Sequence, residues 1–342
     1  MLAAGVCGTD LAIATGTRPG QAAILGHEGV GLVVAAPGEC SFKQGNRVII
    51  NPVHQENPAI VIGHSRDGVF REYFWLDSHE ALEGKFLVPV SPNCSLRNEE
   101  LALTEPIASV LYSVELLRKR CGFGSLIIRG SGTIAILAAK LWSRLIGTGA
   151  LIVSKSDKHA EWLKKATQWP SDVQIFSNTN EAALRKHLRE RPATAGILCC
   201  SREDAPEGLQ FLRTFIGCGG VIDLMAGFPA EYRLQDVSVD AIRWNNICGE
   251  CNGTPTEVTD PATGKTVCLL GHRGTAEYHI LEAVDLLTRG VISSDDLPQS
   301  LVSLQHLPEA FSQTLARRNG HHTNWVKTLV VFSQNDSERL ES

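Results

Sequence analysis

No apolar run in this 342-residue chain approaches the roughly 20 residues needed to span a bilayer. The opening stretch, Met1-Leu-Ala-Ala-Gly-Val-Cys7, lacks the basic flank and long apolar core of a secretory signal. Cationic excess is missing as well: 32 Lys and Arg against 37 Asp and Glu leave a formal charge of −5. That balance reads against nucleic acid or an anionic membrane as partner. A disulfide framework is not indicated, because the ten cysteines are scattered along a long chain without a secretory signal and read as free thiols. Cys199-Cys200 closes an apolar run and reads as small core residues on a strand, and Cys248, Cys251 and Cys268 make only an incomplete metal fragment. There is no internal repeat or low-complexity segment. A cytoplasmic protein is expected, and its length allows one large or two ordinary cores, with two domains expected.

Residues 1–90 are expected to be largely β. Val30-Gly-Leu-Val-Val34, Asn46-Arg-Val-Ile-Ile50 and Val69-Phe-Arg-Glu-Tyr-Phe-Trp75 are short β-type runs separated by turns such as Ala36-Pro37-Gly38. From Leu103 the pattern changes, and Leu103, Ile107, Val110, Leu111, Val114 and Leu117 follow the 3.6-residue period of an amphipathic helix. Pro106 suits its first turn, which predicts an extended Glu105 at or just before the helix start. Strands are then expected at 125–129, 150–154, 172–176, 195–200 and 220–225. Helices are expected near 133–145, 157–167, 180–190 and 205–216. Such alternation predicts a doubly wound parallel sheet. Past residue 245 come a polar, irregular stretch, helices at 278–289 and 307–316, and a last strand from Trp325 to Phe332.

Gly130-Ser131-Gly132-Thr133-Ile134-Ala135 follows the first of these strands and opens a helix, the setting a dinucleotide needs. Gly130 allows the tight turn, Gly132 lets backbone approach a pyrophosphate, and Ala135 lets helix and strand pack closely. Thr133 and Ile134 begin the helix whose N-terminal N–H groups face the phosphates. At the end of the next strand an NAD-binding protein places a carboxylate, but here Ser154 and Lys155 occupy that place. An ammonium and a hydroxyl suit a 2′-phosphate, so NADP is expected over NAD. The alternative is that Asp157 does the carboxylate's work.

Cys7-Gly8-Thr9-Asp10 and Gly26-His27-Glu28 supply a thiolate and an imidazole twenty residues apart, the ligand types zinc prefers. Glu28 and Glu105 are the candidate carboxylates. With Gly45-Asn-Arg47-Val, Asp67-Gly-Val-Phe-Arg-Glu72-Tyr73, Glu105-Pro106 and the glycine turn, these motifs resemble the medium-chain zinc-dependent dehydrogenases, in particular their polyol (sorbitol-like) and threonine dehydrogenase branch. The resemblance implies an α/β protein with a GroES-like β domain and a Rossmann-type domain. It also implies zinc ligands at Cys7 and His27, Glu105 as distal carboxylate and Glu28 as a close or exchanging ligand. Thr9 would relay the substrate proton, and Asp10 would orient the histidine. On this reading residues 1–107 and 245–342 form the catalytic domain and 108–244 the dinucleotide domain.

The chain departs from the family pattern in three places. Only six residues precede Cys7 where some thirty residues of β structure are usual, so a truncated or misassigned start, or an incomplete β domain, is expected. The stretch after Gly45-Asn-Arg47-Val has no cysteine lobe, which predicts one catalytic zinc and no structural zinc. His54 and His64 in that stretch read as loop residues, with a role at the cleft rim as the alternative. Residues 250–270 look like an inserted hairpin or loop. Arg273 reads as solvated, with an anion contact as the alternative. The expected activity is reversible oxidation of a secondary alcohol (a polyol, sugar, cyclitol or amino alcohol) to a ketone, in a homo-oligomer, dimer or tetramer, acting on small molecules. The alternatives are a zinc-free NADPH-dependent enone or quinone reductase of the same fold, and a non-catalytic nucleotide-binding relative.

Overall fold

Three of the five residues ahead of Val6 are small, and Ala3 and Ala4 are fully buried. They can therefore lie inside a sheet, with neighbours on both sides. The computed structural model describes residues 1–38, 40–77, 84–318 and 323–332. In chain order it begins with β1 (Ala3–Val6), α1 (Gly8–Ala14), β2 (Glu28–Leu32), β3 (Arg47–Ile50), β4 (Leu87–Pro89), α2 (Asn98–Leu101) and α3 (Thr104–Cys121). Next come β5 (Ser125–Arg129), α4 (Thr133–Ile146), β6 (Ala150–Ser154), α5 (Asp157–Ala166), β7 (Val173–Ser177), α6 (Glu181–Glu190), β8 (Ala193–Leu198), α7 (Ala205–Phe215) and β9 (Val221–Leu224). The chain continues through β10 (Arg233–Leu234), β11 (Val237–Ser238), α8 (Val239–Ile242), β12 (Thr256–Thr259) and β13 (Thr266–Leu270). It ends with α9 (Glu277–Thr288), β14 (Gln299–Ser303), α10 (Leu307–Arg318) and β15 (Lys327–Val331). No helix among the described residues is long and apolar enough to cross a membrane.

Contacts divide the chain into two units. One holds residues 1–108, 274–294 and the described residues from 298 onward; the other holds 109–273 and 295–297. The first unit is built on a six-stranded sheet in the order β14-β15-β1-β2-β3-β4. β1 lies between β15 and β2, antiparallel to both. Its core gathers Ala4, Leu11, Ile50, Ile62, Val69, Phe86 and Val330.

The second unit has a seven-stranded sheet in the order β12-β13-β9-β8-β5-β6-β7. It is parallel from β13 to β7, with β12 antiparallel at the edge. Buried on both faces, its strands read as continuous apolar runs, as Leu126-Ile127-Ile128 does. From β5 the chain winds outward through β6 and β7, then resumes beside β5 with β8 and winds the other way. The crevice at that reversal, beyond the carboxyl ends of β5 and β8, is where open α/β sheets bind ligands. α4 is apolar almost all round and ends where Gly147 takes a left-handed φ of 74°.

Four features differ from the sequence reading. Residues 69–75 form no strand, because the N–H groups of Gly68, Val69 and Phe70 bond instead to the carbonyls of Ile24, Gly26 and Leu25. The segment is thus a strap over the residues before His27. Cys7 is followed at once by α1, a helix in a stretch expected to be largely β. Glu105 is helical, the second residue of α3, rather than extended; the preference against α before proline is outweighed because Ile107 N–H already bonds to Leu103 O in that first turn. Finally, residues 245–273 fall in the second unit, since β13 pairs with β9 and β12 folds back on β13 as a hairpin.

Candidate metal centre and dinucleotide turn

One group of three potential metal-binding side chains occurs among the described residues: Cys7, His27 and Glu28, whose donor atoms all lie within 4.8 Å of one another. Cys7 caps α1 in an extended conformation and is half-buried. His27 and Glu28 are buried, at the start of β2. Just before them Gly26 has φ 93°, and a Cβ there would come within 2.8 Å of the Phe70 ring, so the strap and the glycine together set the histidine's approach.

Asp10 ties the first two groups together. This fully buried residue accepts the Cys7 N–H at 2.8 Å through Oδ2 and the Gly26 N–H at 3.0 Å through Oδ1. The same Oδ1 lies 3.2 Å from His27 Nδ1, which leaves Nε2 as the nitrogen for a metal. Burial works against a proton on His27, but the Asp10 carboxylate and Cys7 outweigh it and hold its pKa well above the ordinary imidazole value.

Glu28 has a partner of its own. Lys327 on β15 reaches across β1 to its carboxylate, and its Nζ also donates to Val6 O at 3.1 Å. The crossing is possible because the intervening residue is Gly5, where a Cβ would collide with Glu28 Oε2 and the end of Lys327. Burial pushes the Lys327 pKa down, but Glu28, Cys7 and Glu105 push it up, and the net shift is upward. Glu105 therefore acts on Lys327 electrostatically but is not in the three-residue group. A thiol, an imidazole oriented by a carboxylate, and a carboxylate oxygen form a donor set that suits zinc. The residues fit the metal, with Glu28 under the restraint of Lys327.

On the other side of Cys7, Thr9 Oγ1 accepts from Arg18 Nη1 at 3.3 Å. Arg18 Nη2 lies 3.5 Å from His64 Nδ1, and the His64 ring meets the His27 ring edge-on with centroids 4.9 Å apart. His64 is thus at the centre rather than in a plain loop. His54 is the loop residue: its Nδ1 accepts the N–H groups of Glu56 and Asn57. Sequence reasoning missed Arg18 and Lys327. For Lys327 the signal was a lone lysine in the apolar run Trp325-Val-Lys-Thr-Leu-Val-Val331; for Arg18 there was none. An apolar groove of the first unit, lined by residues such as Leu32, Val34, Phe42, Phe74 and Trp75, contains none of these site residues.

In the second unit, Gly130 ends β5 with φ 147°, and Gly132 caps α4 with nothing within 4 Å of where its Cβ would stand. Thr133 and Ile134 start the helix, and Ala135 is fully buried beneath the turn. Ser154 is buried, with its Oγ 3.4 Å from Ser131 Oγ. Lys155 extends into solvent and meets Asp204 at 2.5 Å. That carboxylate raises its pKa through a hydrogen bond and its charge. The Asp157 carboxylate accepts hydrogen bonds from Ser177 and Thr179, which lower its pKa. His159, unremarked in the sequence, brings Nε2 to 3.1 Å from Ser131 O. Arg273 stacks over Trp244 at 4.1 Å rather than standing in solvent.

Residues 1–86 match the alcohol dehydrogenase GroES-like domain family. That match lies within the first unit; over nearly its whole length the chain shares its fold with solved dehydrogenases. Galactitol-1-phosphate dehydrogenase from Escherichia coli is similar, with a TM-score of 0.71 and 19% identity over 96% of this chain and 90% of that one. A Sinorhizobium meliloti protein, called a zinc-binding dehydrogenase and bound to NADP, gives 0.70 and 21% over 96% and 90%. L-idonate 5-dehydrogenase from Escherichia coli gives 0.66 and 18% over 97% and 89%. At these identities the likeness is one of fold. No curated protein matches the sequence.

Proposed function

We propose that this chain is a zinc-dependent dehydrogenase that interconverts a polyhydroxylated or amino-substituted secondary alcohol and its ketone, with NADP preferred over NAD. The observation that carries this reading is the convergence of Cys7, His27 and Glu28 donor atoms within 4.8 Å. Cys7 and His27 would hold the metal, with a carboxylate from Glu28 or Glu105 completing the set. Neighbours named as galactitol-1-phosphate and L-idonate 5-dehydrogenases support a polyhydroxylated substrate. Lys155 supports NADP: its contact with Asp204 is solvent-exposed and worth at most about 1 kcal/mol, so a 2′-phosphate can replace it at small cost. The Asp157 carboxylate, held by Ser177 and Thr179, is poorly placed to receive a ribose diol.

The metal and dinucleotide, when bound, supply charge stabilisation at the alcohol oxygen and acceptance of a hydride. The chain's own residues do the rest. Asp10 fixes the Cys7 backbone and the His27 ring in one arrangement. Thr9 Oγ1 takes the substrate hydroxyl proton as its own is passed outward. Arg18, donating to that same oxygen, makes the Thr9 hydroxyl a readier proton donor.

The experiment is metal analysis of purified protein together with alcohol oxidation assayed with each dinucleotide. About one zinc per chain is expected if a single catalytic site is filled. A higher kcat/KM with NADP than with NAD is expected. Full activity in zinc-free protein would replace this reading with that of a metal-independent reductase.

A further inference from the structure

The proposed chemistry uses Arg18 only indirectly, through Thr9, yet it is held by a built support. The turn after α1 is closed by Arg18 N–H on Ala12 O at 3.0 Å and by the Thr15 and Thr17 hydroxyls on Leu11 O and Ala12 O. Gly16 takes φ 72° to make that turn. The following residues are tied to the opposite wall, since the N–H groups of Gln21 and Ala22 both bond to His64 O, at 2.8 and 3.0 Å. The guanidinium then spans Thr9 Oγ1 and His64 Nδ1, and the His64 ring is set against the ring of His27. The support fixes both the plane and the position of a group that stays charged at every working pH. It lies beside the hydroxyl that handles the substrate proton.

Resting on the reading of an alcohol dehydrogenase given above, we propose that the substrate carries an oxyanion, a phosphate monoester or a carboxylate, close to its reacting carbinol, and that Arg18, positioned by His64, binds it. A guanidinium matches either oxyanion through two parallel N–H···O contacts, stronger than those to a neutral hydroxyl. His64 Nδ1, 3.5 Å from Arg18 Nη2, accepts from the guanidinium and holds it in place for that contact. The attraction is largest when substrate covers the site and excludes water, so Arg18 selects acidic polyols or polyol phosphates over neutral ones and sets which carbon faces the metal.

The test uses zinc-loaded protein saturated with dinucleotide, so that the phosphate-binding turn is already filled. Inorganic phosphate and acetate are titrated in by calorimetry, with wild type, Arg18→Gln, Arg18→Lys and Cys7→Ser. Saturable binding that weakens at least tenfold in Arg18→Gln and is largely kept in Arg18→Lys is the expected result. Stronger binding of phosphate than of acetate identifies the phosphate monoester as the source, and the reverse order the carboxylate. In turnover, the ratio of kcat/KM for a polyol phosphate or a polyhydroxy acid to that for the parent polyol should fall at least tenfold in Arg18→Gln. Binding equal in wild type and Arg18→Gln, or lost in Cys7→Ser but kept in Arg18→Gln, overturns the proposal, the latter because the metal alone would then hold the anion. Oxidation of alcohols with an unchanged ratio overturns it while leaving the dehydrogenase reading intact. Arg18-dependent phosphate binding without turnover of any alcohol supports the oxyanion site and removes that reading.

Discussion

Asp10 has one carboxylate and three duties, and no other side chain of its size can perform all of them. Its oxygens accept two backbone N–H groups, from Cys7 and Gly26, and face the Nδ1 of His27. Asparagine keeps the shape but turns one accepting oxygen into a donor, so one of those contacts becomes donor against donor. Asp10→Asn should therefore fold, yet lower zinc affinity by about 10–100-fold, the usual effect of losing a ligand's orienting partner. Competition with a chromophoric chelator measures it, and unchanged affinity would show that the strap over residues 24–26 orients His27 by itself. Cys7, His27 and Asp10 were legible because they sit in two short motifs. Lys327 was not, because its charge makes sense only when Gly5 lets it cross a strand to Glu28, 299 residues away in the chain. Lys327→Met should cost about 3–5 kcal/mol by leaving the Glu28 carboxylate buried and unpaired, and Glu28→Gln in the same chain should restore most of it. The folded pKa of Lys327 is raised above its ordinary 10.5. Its contribution is accordingly complete below that ordinary value and lost only as pH climbs through the higher folded one. Urea unfolding should show a constant gap between wild type and Lys327→Met from neutral pH to about 9, closing in stronger alkali.

At the scale of elements, the second unit was the more readable. Strands covered on both faces must be apolar along their length, so β5, β6 and β8 stood out as runs, and helices between them ended at residues such as Gly147. In the first unit the same logic failed at residues 69–75. Their composition is that of a strand, but a strand needs a ladder partner, and the Val69 and Phe70 N–H groups are spent on the carbonyls of Gly26 and Leu25. Residues 250–270 were legible as a hairpin or loop, not as an extension of the parallel sheet. Only the pairing of Cys268, Leu269 and Leu270 with β9, absent from any local pattern, decides that. The glycine turn was readable, and its geometry explains why it is glycine. A Cβ on Gly130 would stand 2.7 Å from Cys199 Sγ and 2.8 Å from the Cys199 carbonyl, at a φ of 147° that side chains avoid. Gly130→Ala should push the turn away from β8, abolish measurable NADPH binding by fluorescence titration, and leave zinc content unchanged. Tight binding by that variant would mean that the dinucleotide does not rest on this turn.

For the molecule as a whole, the two ligands proposed here are held by different parts of the chain. Cys7, His27, Glu28 and Lys327 belong to the first unit, and Gly130, Gly132, Ser154 and Lys155 to the second. The motifs made this separation readable, whereas the boundary at 273 rather than 244 depended on β13 joining the second sheet. A ligand stabilises only the states able to bind it, by about 2.7 kcal/mol when present at a hundred times its Kd. If each unit opens on its own, that stabilisation stays where the ligand is. Hydrogen exchange read residue by residue distinguishes the cases. Removing zinc with a chelator should speed exchange at Ala4, Leu11 and Val30, amides on β1, α1 and β2, while Ile127 and Ile152 on β5 and β6 keep their rates. Adding NADP should slow Ile127, Ile152 and Ala135 and leave Ala4 and Val30 as they were. Equal protection of both sets by either ligand would show that the chain opens as one cooperative body, and the metal centre would then be supported by the dinucleotide as well as by its own sheet.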